Sequence, residues 1–168
     1  MKKLFIATLV SLTALSSLNA VAHTPSYKEK DLIGTWQCES HNEDISMNFI
    51  SEYMSNNTGI DIGKVNMALD EETILSYDIE ASYRYHIKGN QLFSSGQLDK
   101  FEAKHTPETL AKADAEILEF MDTFLKEGFA EQMAEEQSIT ITALSKDTLT
   151  LTDEEEDFTI SCKRIKTK

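Results

Sequence analysis

The residues able to do chemistry are few in this chain and widely scattered. His23, His41, His86 and His105 show no H-x-x-x-H or H-E-x-x-H spacing, which would set two imidazoles on one helix face for zinc. No G-x-S-x-G elbow presents an activated serine. The acidic run "DEEED", 153–157, lacks the D-x-D-x-D-G alternation that arranges oxygens around Ca²⁺, and reads as a solvated hairpin tip. His86 falls on the polar face of its segment and reads as a surface residue. No metal, cofactor or catalytic constellation is expected, and the chain does not read as an enzyme. What remains is a pair of cysteines: Cys38, two places after the only tryptophan, and Cys162 near the far end.

The compartment bears on those cysteines. The chain opens "MKKLFIATLVSLTALSSLNAVAHT": a lysine pair, an apolar run from Leu4, and an A-x-A pattern at Ala20–Ala22. This is the pattern of a secretory signal peptide over residues 1–22, with cleavage after Ala22, or after Ala20. The apolar run is too short and too interrupted by Ser, Thr and Asn for a spanning helix, which needs about 20 apolar residues. Cleavage would place His23 first or third, where its amine or amides and imidazole could chelate Cu²⁺; no second side-chain ligand accompanies it, so it reads as part of a terminal tail. The lysine-led signal without a lipid-attachment cysteine suits a Gram-negative periplasm, release outside the cell being the other destination.

Residues 23–168 then form the mature chain, enough for one domain with one core. The formal charge is −13 for the whole sequence, and −15 once Lys2 and Lys3 leave with the signal peptide. Such a surface repels nucleic acid and anionic lipid, and would steer a cationic protein partner instead. Neither a membrane span nor an oligomeric state can be read from these residues.

Two cysteines in an exported, oxidised chain are expected to pair as a Cys38–Cys162 disulfide, the other reading being two free buried thiols. Both flanking segments alternate as half-buried strands do. Trp36 and Cys38 share one face; Phe158, Ile160, Cys162 and Arg164 share another. If the two segments run antiparallel with Cys38 opposite Cys162, then Trp36 faces Arg164, because stepping back two on one strand steps forward two on the other.

That register brings in a family. A G-x-W at the start of the first strand, here Gly34, Thr35 and Trp36, with an arginine on the last strand packing over the indole, here Arg164, resembles the calycin (lipocalin-like) pattern. The resemblance implies an antiparallel up-and-down barrel of about eight strands, closed at one end by a guanidinium stacked on an indole. It covers both ends of the chain well and the middle loosely; "SITITALSKDTLTLTDEEEDFTISCKRI" resembles the closing strands of small bacterial lipocalin-like domains.

The middle supplies further elements. Residues 45–54 begin with Ile45, Met47 and Phe49 in alternation, and 59–67 form a weaker strand where Gly59 and Gly63 suggest a bend or bulge. Residues 75–87 alternate without fault, as one long strand or two in line across a bend. "KGN", 88–90, is a turn. The period then changes: Thr106 as N-cap and Pro107 at the first helical position open a helical insertion over about 107–135. Leu110, Ala113, Ile117, Met121 and Phe124 form its apolar stripe, and Gly128 is expected to end or bend it. Three strands follow. The fold class expected is therefore mainly β, an eight-stranded antiparallel barrel with a helical insertion before the last three strands.

Met47, Phe49, Tyr77, Tyr83 and Tyr85 are expected to face inward. They either line a cavity for a small apolar or amphipathic ligand or fill the barrel outright. Phe120, Met121 and Phe124, with Phe129 and Met133, either cover that cavity or pack against the barrel's outside. Two functions follow: non-enzymatic binding of a small hydrophobic molecule, or a filled-barrel interaction module, such as an envelope stress factor or an inhibitor of a cationic protein.

Overall fold

The computed structural model describes residues 26–42, 44–70, 73–153 and 158–166. The expected signal peptide, His23 and residues 154–157 of the acidic run lie outside them. The described residues form eight strands: β1 Gly34–His41, β2 Ile45–Tyr53, β3 Thr58–Ala68, β4 Ile74–Lys88, β5 Gln91–Ala103, β6 Gln137–Leu144, β7 Thr148–Asp153 and β8 Phe158–Arg164. Each pairs antiparallel with the next, and β8 returns to β1, closing the barrel. The helices are α1, Glu29–Leu32, before β1, and α2, Pro107–Lys112, and α3, Ala115–Ala134, between β5 and β6.

The closure has the register expected from the sequence. Cys38 lies opposite Cys162 and is bonded to it, and Trp36 lies opposite Arg164. The Arg164 guanidinium carbon stands 4.0 Å from the indole centroid. Its nitrogens donate to the carbonyls of Asp31 and Ile33 in the lead-in and of Lys146 in the β6–β7 turn. The indole Nε1 donates to the Leu32 carbonyl at 2.8 Å. One arginine thus ties the lead-in and a distant turn across the closed end. Gly34 leaves it room: a Cβ there would stand 2.4 Å from the guanidinium, and its φ of +131° suits glycine alone. Arg164→Lys keeps the charge but loses the planar fork. We expect it to lower stability by about 2–4 kcal/mol in urea titrations, several charge-assisted bonds being lost together.

Three expectations for the middle need correction. First, β3 pairs with β2 and β4 without a break, so Gly59 and Gly63 mark no bend; the irregularity falls between Glu80 and Ala81, where β4 pairs with β5. The β3 glycines instead allow close approach, of a ring at Gly59 and of the β2 strand itself at Gly63. A Cβ at Gly59 would lie 2.4 Å from the Tyr83 ring, and one at Gly63 would lie 2.4 Å from the Phe49 Cβ. The 75–87 pattern is one continuous strand, β4.

Second, the helical insertion is two helices. Thr106 caps α2 as expected, accepting from the Thr109 amide, but Asp114 caps a fresh start, accepting from Glu116 and Ile117. The restart shifts the packing face. Leu118 is buried, with Met121 and Leu125 beside it against Leu75 and Tyr77, whereas Leu110, Ile117, Phe120 and Phe124 are more than half exposed. Third, Gly128 does not end α3. It sits in open space on a helix that continues to Ala134, where a glycine costs only about 1 kcal/mol.

No helix among the described residues is long and apolar enough to cross a membrane.

Candidate binding site

The barrel holds two apolar clusters. One, around Leu32, Trp36, Tyr85, Ile141 and Leu149, fills the end sealed by Arg164. The other joins Leu75 and Tyr77 to α3 through Leu118. Between them is a cavity of about 290 Å³, just under the usual range for ligand pockets, about 300–1,000 Å³. The interior is therefore not filled. Its walls are apolar side chains such as Phe49, Ile79, Leu92, Leu151 and Ile160, and Phe129 and Met133 of α3 border it.

Its polar side is built on β3. Asp61 is paired across β2 to Ser51 and across β4 to Ala81, and alternation along β3 points it inward while Ile62 is left 52 % exposed. Ser51 Oγ donates to Asp61 Oδ1 at 2.6 Å, and Tyr83 Oη donates to the same oxygen at 2.9 Å. Tyr83 reaches it from the space that Gly59 leaves open. Asp61 lines the cavity, half-buried as a residue, with its carboxyl set deep among protein atoms. Burial pushes its pKa up to about 6, against the opposing pull of the Ser51 and Tyr83 hydroxyls. Burial likewise pushes the Tyr83 and Tyr53 hydroxyls well above the usual tyrosine range, with the Asp61 charge adding to it. Tyr53 meets the rings of Tyr83 and Tyr85 edge-on, which fixes the aromatic side of the site.

The inward residues expected from the sequence separate by location. Phe49 and Tyr83 line the cavity. Tyr85 is buried in the sealed end, its hydroxyl donating to the Met54 carbonyl. Met47 is half-buried on β2, outside the cavity lining. Tyr77 belongs to the α3 contact. Of the helical residues, Met121 packs on the barrel. Phe120 and Phe124 stack on each other, 65 % and 59 % exposed, and do not border the cavity.

Two groups escaped sequence reasoning. Asp61 was one, because a carboxylate between two isoleucines reads as the outward residue. The other is His105, whose ring is almost wholly buried beside Asp122 of α3. Its Nδ1 accepts from the Ser76 amide and its Nε2 lies 2.9 Å from Asp122 Oδ1, to which Tyr77 Oη also donates at 2.8 Å. With Nδ1 accepting, the proton belongs on Nε2, donated to the carboxylate. This clasp fastens α3 to β4. His105→Ala should cost about 1–3 kcal/mol and raise amide hydrogen exchange along 115–134 more than in β1 or β8.

Among the described residues no three His, Cys, Asp or Glu side chains gather as a metal site. No protein-family model matches the chain, and no curated protein does. Among solved structures it is similar to a lipocalin-like protein from Bacteroides uniformis ATCC 8492, with 16 % identity and a TM-score of 0.39, over 80 % of this chain and 99 % of that one. The closed eight-stranded antiparallel barrel with a guanidinium over an indole is the architecture expected from the two ends of the sequence.

Proposed function

We propose that this chain is an exported, non-enzymatic carrier of a small amphipathic molecule, held between the barrel wall and the C-terminal half of α3. The observation that carries this reading is the cavity of about 290 Å³ with apolar walls and one buried carboxyl. Apolar walls supply affinity, and a single polar group fixes orientation. Phe129 and Met133 take the covering role in place of Phe120 and Phe124, because they border the space and the other pair does not. Export by a signal peptide over residues 1–22, to the periplasm or beyond, belongs to the same reading; the Cys38–Cys162 bond suits an oxidising compartment.

Native mass spectrometry of protein recovered from its own compartment tests it. A retained small molecule is expected, its occupancy falling several-fold in Phe129→Ala/Met133→Ala protein. A barrel that carries no adduct and takes up no apolar fluorescent probe would refute the carrier reading.

A further inference from the structure

We infer that the cavity is selective for a cationic amphiphile, an alkyl chain ending in a protonated amine, with the ammonium seated on Asp61. The inference rests on the carrier reading and specifies its ligand class.

Asp61 is the one charged side chain among the described residues that line the cavity; no Lys, Arg or His borders it. The Ser51 and Tyr83 hydroxyls both spend their protons on Oδ1, and among the described residues no hydrogen bond or ion pair reaches Oδ2. Ionised, this corner presents Oδ2 and the spare lone pairs of the Ser51 hydroxyl as acceptors, with the Tyr53 hydroxyl, hydrogen-bonded to Tyr83, the one neighbouring donor among the described residues. A headgroup that donates several hydrogen bonds and carries positive charge satisfies it. A carboxylate headgroup would set like charge against like in a low-dielectric space, and a hydroxyl would leave the charge uncompensated. The remaining polar side chains at the cavity, Ser94, Ser95, Gln132 and Gln137, are neutral. The acidic surface acts in the same direction, concentrating cations near the mouth.

The groups facing Asp61 leave a clean titration. Ser51 and Tyr53 face it from β2 and Ala81 and Tyr83 from β4; both tyrosines titrate far above neutrality, and the polar residues from β5, α3 and β6 do not titrate. Amine binding should therefore strengthen as pH rises through about 6, where Asp61 ionises.

Decylamine, decanol and decanoate share a chain and differ at the headgroup. Calorimetry of the full mature protein at pH 7.5 should rank decylamine at least tenfold tighter than decanol, with decanoate weakest. Asp61→Asn should remove the amine preference, bringing decylamine to within about twofold of decanol measured on the same variant. Equal affinity for all three, or tightest binding of decanoate, overturns the cationic assignment and leaves the carrier reading standing. Binding of none of them overturns both. The headgroup series uses wild-type protein throughout, so it stands whether or not the variant folds.

Discussion

Reducing the Cys38–Cys162 bond is expected to lower the free energy of unfolding by about 4–5 kcal/mol. The two cysteines are 124 residues apart, and loop-closure entropy removed from the unfolded chain grows with the length of the loop. The bond joins β1 to β8, the pairing with the longest sequence separation in the barrel, which the chain must find last or hold covalently. Backbone hydrogen bonds and the Arg164–Trp36 stack still hold that seam after reduction. The reduced protein should therefore keep its β-sheet circular dichroism while its urea midpoint falls. The urea slope should rise as well, because an uncrosslinked unfolded chain exposes more surface. Cys38→Ala/Cys162→Ala protein should behave like the reduced form. Coincident midpoints with and without reductant would show that the bond contributes little and that the barrel's stability lies in its core.

The fold was legible in this sequence at its two ends and the site was not, for a physical reason. Trp36, Cys38, Cys162 and Arg164 are large or covalently paired residues in regular alternation, so one register satisfies all four at once. The long run in β4 was readable on the same ground. In β3 the alternation reads with the wrong sign. Ile60 and Ile62 have the apolar character of core residues, yet the glycines at 59 and 63 and the carboxylate at 61 face inward. The Tyr83 ring stands where a side chain at position 59 would go, and the β2 backbone with the Phe49 Cβ where one at position 63 would go, so the choice of face is made by neighbouring strands and not by β3. The α2–α3 break has a comparable origin. Leu110, Ala113 and Ile117 look continuous, but Asp114 caps a new helix: Ala113 packs at the end of α2, Ile117 is exposed, and the packing phase of α3 starts at Leu118. His105 gave no spacing signal because its partners, Ser76, Tyr77 and Asp122, come from distant parts of the chain.

Asp61→Asn is expected to stabilise the protein above pH 6, by up to about 3 kcal/mol, and to have little effect near pH 4. The folded state raises the pKa of this carboxyl from 3.8 to about 6, and each tenfold change in proton affinity corresponds to about 1.4 kcal/mol. Between those values the folded protein holds the proton and the unfolded chain has released it. Stability therefore falls as pH rises across that window, is lowest above about 6, and is recovered below the unfolded value. Glu29 has the opposite sign: the Ile87 amide holds its pKa below the usual carboxylate range, so its contribution is lost as pH falls. Glu102, held down by Lys104 and Lys100, acts in the same direction as Glu29. The wild-type profile mixes these opposing slopes, and the difference between wild type and Asp61→Asn isolates one of them. Asparagine keeps an oxygen for the Ser51 and Tyr83 hydroxyls while removing the buried charge. Urea titrations of both proteins from pH 4 to pH 8 should thus diverge across the window and then run parallel. A difference that does not change with pH would mean that water in the cavity already solvates the carboxylate. A divergence as expected would mark Asp61 as a destabilising charge in the empty barrel, and an amine bound on it should close the gap by drawing its pKa back down.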